Sequence, residues 1–174
     1  DGRLWLITNH NAPNYRLVSV DPRHPDPKAW QEIIPECNHV ISNIVMGNGQ
    51  LLVTYTEDVM SHLYVYTTDG KKQYEVELPG IGSVNNISAE KDEPEVFYSF
   101  TSFTYPETIF RLDTNKNQST LYFAPETDFK SANYESKQVF YQSKDGTQIP
   151  MTVTYKKGIK IDGNNPTLLY GYGG

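Results

Sequence analysis

Apolar residues along this chain recur at alternate positions in short bursts, and clusters of turn-forming residues separate the bursts. Val, Ile, Leu, Tyr, Phe and Thr dominate the bursts, as expected of strands whose side chains point alternately to two faces. No segment keeps a 3.6-residue apolar period for long. The pattern predicts strands throughout.

Taken in order, the strands fall into a recurring set of four. Residues 39–46, 50–56, 61–67 and 72–78 make one set, and 83–89, 95–101, 108–113 and 118–124 make the next. An incomplete set at 3–9, 15–21 and 30–34 precedes both. Spacing supports this phasing. Leu4, Leu51 and Val96, in the second strands, are 47 and 45 residues apart. Asp21, Asp69 and Asp113, which close the third strands, are 48 and 44 apart. Four-stranded antiparallel units repeating at about 40–45 residues are the signature of β-propeller blades. One blade cannot bury both faces alone, so it must stack on neighbours. A β-sandwich of irregular strands is the alternative; four strands recurring in phase favour the propeller. The first set lacks its first strand, so the chain is expected to begin inside a blade.

After Pro125 the pattern changes. Val139, Tyr141, Met151, Val153 and Tyr155 alternate around Asp145 and Gly146, a strong signal for a tight hairpin. A polar loop at 158–166 follows. The final stretch, "TLLYGYGG" (167–174), reads as a short buried strand running into a glycine turn. Such an ending is expected of a piece cut from a longer protein. Two hairpin strands and a third heading inward suit the opening of an α/β sheet. The expected fold is therefore all-β: about three blades of a partial propeller, the first incomplete, over residues 1–130. The first strands of a second, α/β domain would occupy 131–174. Charge changes sign at the same place, with 10 Lys+Arg against 18 Asp+Glu before it and 5 against 3 after it.

Composition then narrows the chemistry. A net charge of −6 argues against a nucleic-acid surface, and no apolar run is long enough to span a membrane. A single cysteine, Cys37, excludes an internal disulfide and a cysteine-based zinc cage; a buried, inert thiol is expected. No motif calls for a cofactor or a metal. Asn86-Ile-Ser88 and Asn117-Gln-Ser119 fit the glycosylation acceptor pattern, which is short enough to arise by chance in an Asn-rich chain. The acidic run from Glu90 to Glu95 reads as a solvated loop. His10, His24, His39 and His62 all fall in the blade part, where surface or packing roles are expected. No G-x-S-x-G nucleophile elbow occurs.

Five stretches carry a family likeness: "APNYRL" (12–17), "FYSFTSFTYP" (97–106), "SKDGTQIPM" (143–151), "KKGIKIDGNNP" (156–166) and "LLYGYGG" (168–174). In these, and in their order, the chain resembles the prolyl oligopeptidase family, serine peptidases that cleave short peptides after proline. Members place a seven-bladed propeller over an α/β-hydrolase domain bearing Ser, Asp and His. The resemblance implies that this chain holds the last blades and the first hydrolase strands, that it is inactive by itself, and that its blades gate substrate access by size. It also matches Tyr172 to the tyrosine whose hydroxyl donates to the oxyanion of the tetrahedral intermediate. Gly171, Gly173 and Gly174 would let that turn approach the reacting carbonyl. Implied partners are short proline-containing peptides, the rest of the propeller and the catalytic domain, with self-association through open blade faces or edges. A cytoplasmic enzyme is expected, a periplasmic one being the alternative. The rival function is a free-standing propeller that binds without chemistry. A nucleophile elbow past Gly174 supports the enzyme; a further blade supports the module.

Overall fold

The computed structural model describes residues 2–171, and these contain no α-helix. Strands β1 (Leu4–Thr8), β2 (Arg16–Val20) and β3 (Gln31–Ile34) form a three-stranded sheet. Strands β4 (Val40–Gly47), β5 (Gln50–Glu57), β6 (Met60–Thr67) and β7 (Lys72–Val76) form a four-stranded one. A second four-stranded sheet follows, from β8 (Ser83–Ala89), β9 (Glu95–Ser102), β10 (Tyr105–Asp113) and β11 (Gln118–Phe123). Last comes the separate hairpin of β12 (Tyr134–Gln142) and β13 (Gln148–Lys156). All pairings are antiparallel and join strands in chain order. The strand sets read from the sequence are these sheets, the first of them three-stranded among the described residues.

The core sits in two seams between sheets. Leu17 and Ile34 of the first blade meet Ile41, Leu51, Val53 and Tyr55 of the second. Across the other seam, Leu52, Leu63, Val65 and Val76 meet Val84, Val96, Tyr98, Phe100, Phe110 and Leu112. Strand β5 feeds both. Its odd-numbered side chains enter one seam and Leu52 the other, so residues 51–55 are buried without a break. A strand covered on both faces reads as a continuous apolar run, and each Leu or Val contributes about 1.5–3 kcal/mol by burial.

Two of the connections within the second blade are two-residue turns. Asn48 (φ 51°) and Gly49 (φ 65°) join β4 to β5. Asp58 (φ 46°) and Val59 (φ 64°) join β5 to β6. Left-handed values at both central positions define the mirror-image turn whose twist matches that of the strands. At the β6–β7 turn, Gly70 (φ 84°) lies against β3, and a Cβ there would overlap the Ile33 carbonyl.

Two expectations fail. Residues 167–171 are not a buried strand; Leu168, Leu169 and Tyr170 are 91%, 81% and 77% exposed. An apolar run becomes a strand where another strand edge satisfies its backbone, and residues 167–171 pair with none of the described strands. Cys37 is exposed, with Sγ 3.5 Å from the His39 carbonyl oxygen. It lies on the connection between the first two blades, which neither sheet covers.

Candidate functional site

Tyr172, Gly173 and Gly174 lie outside the described residues. Gly171 is exposed and has open space where a Cβ would project. The loop leading to it is stiffened by its own polar groups. The Asp162 carboxylate accepts the Asn164 N–H at 3.1 Å, and Asn165 Nδ2 donates to the Lys160 carbonyl at 2.8 Å. The Asn164 N–H and then Lys160 hold the Asp162 carboxyl below the usual carboxylate range.

The blades hold one cluster of titratable groups that the sequence did not reveal. His62 Nδ1 lies 2.8 Å from Glu75 Oε1, and its Nε2 lies 3.6 Å from Glu57 Oε2. His39 Nδ1 approaches the same Glu57 oxygen at 3.5 Å. The four residues come from separate strands and connections, and the β5–β6 register, Tyr55 opposite His62, brings them together. Beside them Tyr64 carries Lys72 Nζ over its ring, 3.6 Å from the centroid. Partial burial, then the Glu75 and Glu57 carboxylates, push the Tyr64 phenol up to about 12.

This cluster is not a hydrolytic centre. A triad histidine needs one nitrogen on a carboxylate and the other on the nucleophile. Both nitrogens of His62 face carboxylates. The neighbouring Ser61 hydroxyl is engaged at the seam, where it accepts the Val84 N–H at 3.0 Å. His10 packs edge-on against Trp30, with ring centroids 5.7 Å apart, and His24 is exposed. Among the described residues, no group of His, Cys, Asp and Glu is arranged to hold a metal ion.

Four-stranded meanders stacked face to face, with buried seams between them, define these sheets as blades of a β-propeller. The chain belongs to the prolyl oligopeptidase family: residues 1–125 match the sequence model of that family's N-terminal β-propeller domain. It is 42% identical to the prolyl endopeptidase of Elizabethkingia miricola over 171 residues, 98% of this chain and 24% of that protein. Against the prolyl endopeptidase of Dictyostelium discoideum it is 36% identical over 185 aligned residues, 99% of this chain and 24% of that protein. Among solved structures, one from work on inter-domain dynamics in two prolyl endopeptidases superposes with a TM-score of 0.88. That match has 38% identity and covers all of this chain and 26% of the other. The apo prolyl oligopeptidase B of Galerina marginata gives 0.82 at 26% identity, over 93% of this chain and 24% of the other. The chain spans about a quarter of the length of the curated relatives it matches.

Proposed function

We propose that this chain is part of a serine oligopeptidase that hydrolyses short peptides on the carboxyl side of proline. One observation carries the reading. Similarity to prolyl endopeptidases extends over 98% of the chain, well past the residues matched to the propeller. In this reading, residues 1–130 are propeller blades and 131–174 open the α/β-hydrolase domain. Tyr172 donates its hydroxyl to the oxyanion, while Gly171, Gly173 and Gly174 shape the turn that delivers it. The nucleophile, base and acid come from elsewhere in the enzyme, so the chain by itself is inactive. The blades act as a filter that admits short peptides and excludes folded proteins.

Two further points belong to the same proposal. The enzyme is cytoplasmic, where the exposed Cys37 thiol stays reduced. The outer face of the third blade presents Phe97, Ile109 and Phe123 around a cleft, an apolar face through which the isolated chain self-associates.

The experiment compares the 174-residue chain with the full-length protein on a chromogenic post-proline peptide, with labelling by a serine-reactive fluorophosphonate. Turnover and labelling are expected of the full-length protein alone. A full-length protein that neither labels nor turns over contradicts the peptidase, and activity in the 174-residue chain contradicts its dependence on the missing residues. Digestion of large folded proteins as fast as peptides contradicts the filter.

A further inference from the structure

The turn between β5 and β6 is built at a cost. Its second residue, Val59, has a φ of 64°, in the left-handed region that β-branched side chains avoid. The same blade's β4–β5 turn has Gly49 at the equivalent position. Val59 gains little burial in return, being 66% exposed. At the corresponding turn of the next blade, between β9 and β10, stands Phe103, 74% exposed. Two neighbouring blades thus raise one apolar side chain each at the same end of the stack.

That end meets the hairpin. Gln138 of β12 donates from Nε2 to the Asp58 carbonyl at 2.6 Å, across 80 positions of sequence. Directly opposite Gln138 in the ladder is Thr152 of β13. Side chains of a directly opposed antiparallel pair project to one face. Thr152 accordingly helps line a cleft of about 280 Å³ with Val59, Phe103, Ile81 and Gly82. A single rung of the hairpin therefore reaches both the strained turn and the space between the two apolar tips.

We propose that Val59 and Phe103 are docking prongs, with the Gln138–Thr152 rung as their seat. The occupant is the domain that the hairpin opens, and the joint sets its angle to the blades. The proposal rests on the reading that β12 and β13 begin a second domain. Val59 keeps its unfavourable backbone because a glycine, though relaxed there, would present nothing to dock.

The test uses the full-length protein, as Val59→Gly, Gln138→Ala and the triple variant with Phe103→Ala. Limited proteolysis reads exposure of the connection at 125–133, and small-angle scattering reads the overall radius. The triple variant is expected to be cut at this connection roughly tenfold faster, with a larger radius. Val59→Gly alone is expected to speed cleavage while leaving the Tm of the blades unchanged or higher, since it relieves backbone strain. Unchanged cleavage and radius in the triple variant overturn the joint. A lowered Tm for Val59→Gly with unchanged cleavage also overturns it, by assigning Val59 to packing within its own blade. Neither readout needs catalysis. An active enzyme with unchanged cleavage loses the joint alone, and an inactive protein with faster cleavage loses the peptidase reading alone.

Discussion

Asn48, on the β4–β5 turn of the second blade, donates its Nδ2 to Thr114 Oγ1 of the third blade at 2.8 Å. The contact clasps the seam at the end away from the hairpin. Thr114 is buried, and its hydroxyl donates in turn to the Pro94 carbonyl at 3.0 Å. From the second blade, Tyr74 donates its hydroxyl to the Thr114 carbonyl at 2.9 Å. The Asn48 and Gly49 amides complete the clasp by donating to the Glu90 and Lys91 carbonyls.

Thr114→Val keeps the shape of the side chain and removes the hydroxyl. The Pro94 carbonyl loses that donor, and Asn48 Nδ2 keeps only Asn115 Oδ1, 3.1 Å away. A destabilisation of about 1–3 kcal/mol is expected, read from urea unfolding of variant and parent. A change within a few tenths of a kcal/mol would show that the clasp contributes nothing net.

Gly70→Ala and Gly49→Ala separate strain from collision. Both residues have positive φ, but a Cβ at Gly49 enters open space, whereas one at Gly70 strikes the Ile33 carbonyl. Gly49→Ala is expected to cost about 1–2 kcal/mol. Gly70→Ala should cost clearly more, because β3 must also move away from the second blade. Equal Tm shifts for the two variants would contradict the close approach of the blades at Gly70.

Alkaline pH should loosen the middle blade through Tyr64. Its folded pKa, about 12, lies above the 10.0 of a free tyrosine, so folding favours the neutral phenol. The stabilisation is complete below pH 10 and is lost as pH rises through 12. Burial shifts Tyr74 and Tyr98 in the same direction. Tyr64→Phe is expected to flatten the fall of Tm with pH in this window. A fall as steep as in the parent would place the alkaline sensitivity elsewhere.

For the proposed enzyme, Tyr172→Phe in the full-length protein should lower kcat by about 10²–10³-fold with little change in KM, because the oxyanion exists only past the ground state. Tyr170→Phe is the control and should be nearly silent. A KM effect alone for Tyr172→Phe, or greater damage from Tyr170→Phe, would move the oxyanion donor to another residue.

The strands were legible because each blade is locally encoded: alternation marks the faces and glycine, asparagine or aspartate marks the turns. Even β5 could be read, since Leu51, Leu52 and Val53 form a short apolar run bounded by turn residues. What joins the blades was not legible. Asn48 and Thr114 are 66 positions apart, and nothing in either neighbourhood names the other. The Glu57 carboxylate faces His39 and His62 through strand register, which periodicity does not specify. Cys37 was misread because thiols favour burial on average, while this one lies on an uncovered connection. Residues 167–171 were misread because apolar content reports a wish for partners and not their presence. Tyr172 came from family resemblance and not from spacing.

Among the described residues, every ladder joins strands that are consecutive in sequence. A blade can therefore zip together as soon as its last strand leaves the ribosome, without waiting for distant segments. The seams cannot. Each apolar face stays wet until the following blade has been synthesised, so every completed blade spends part of its early life as a sheet with one sticky side. The hazard of misassembly thus falls in the intervals between blades, and slow translation just after Ile34 or Val76 would lengthen it most.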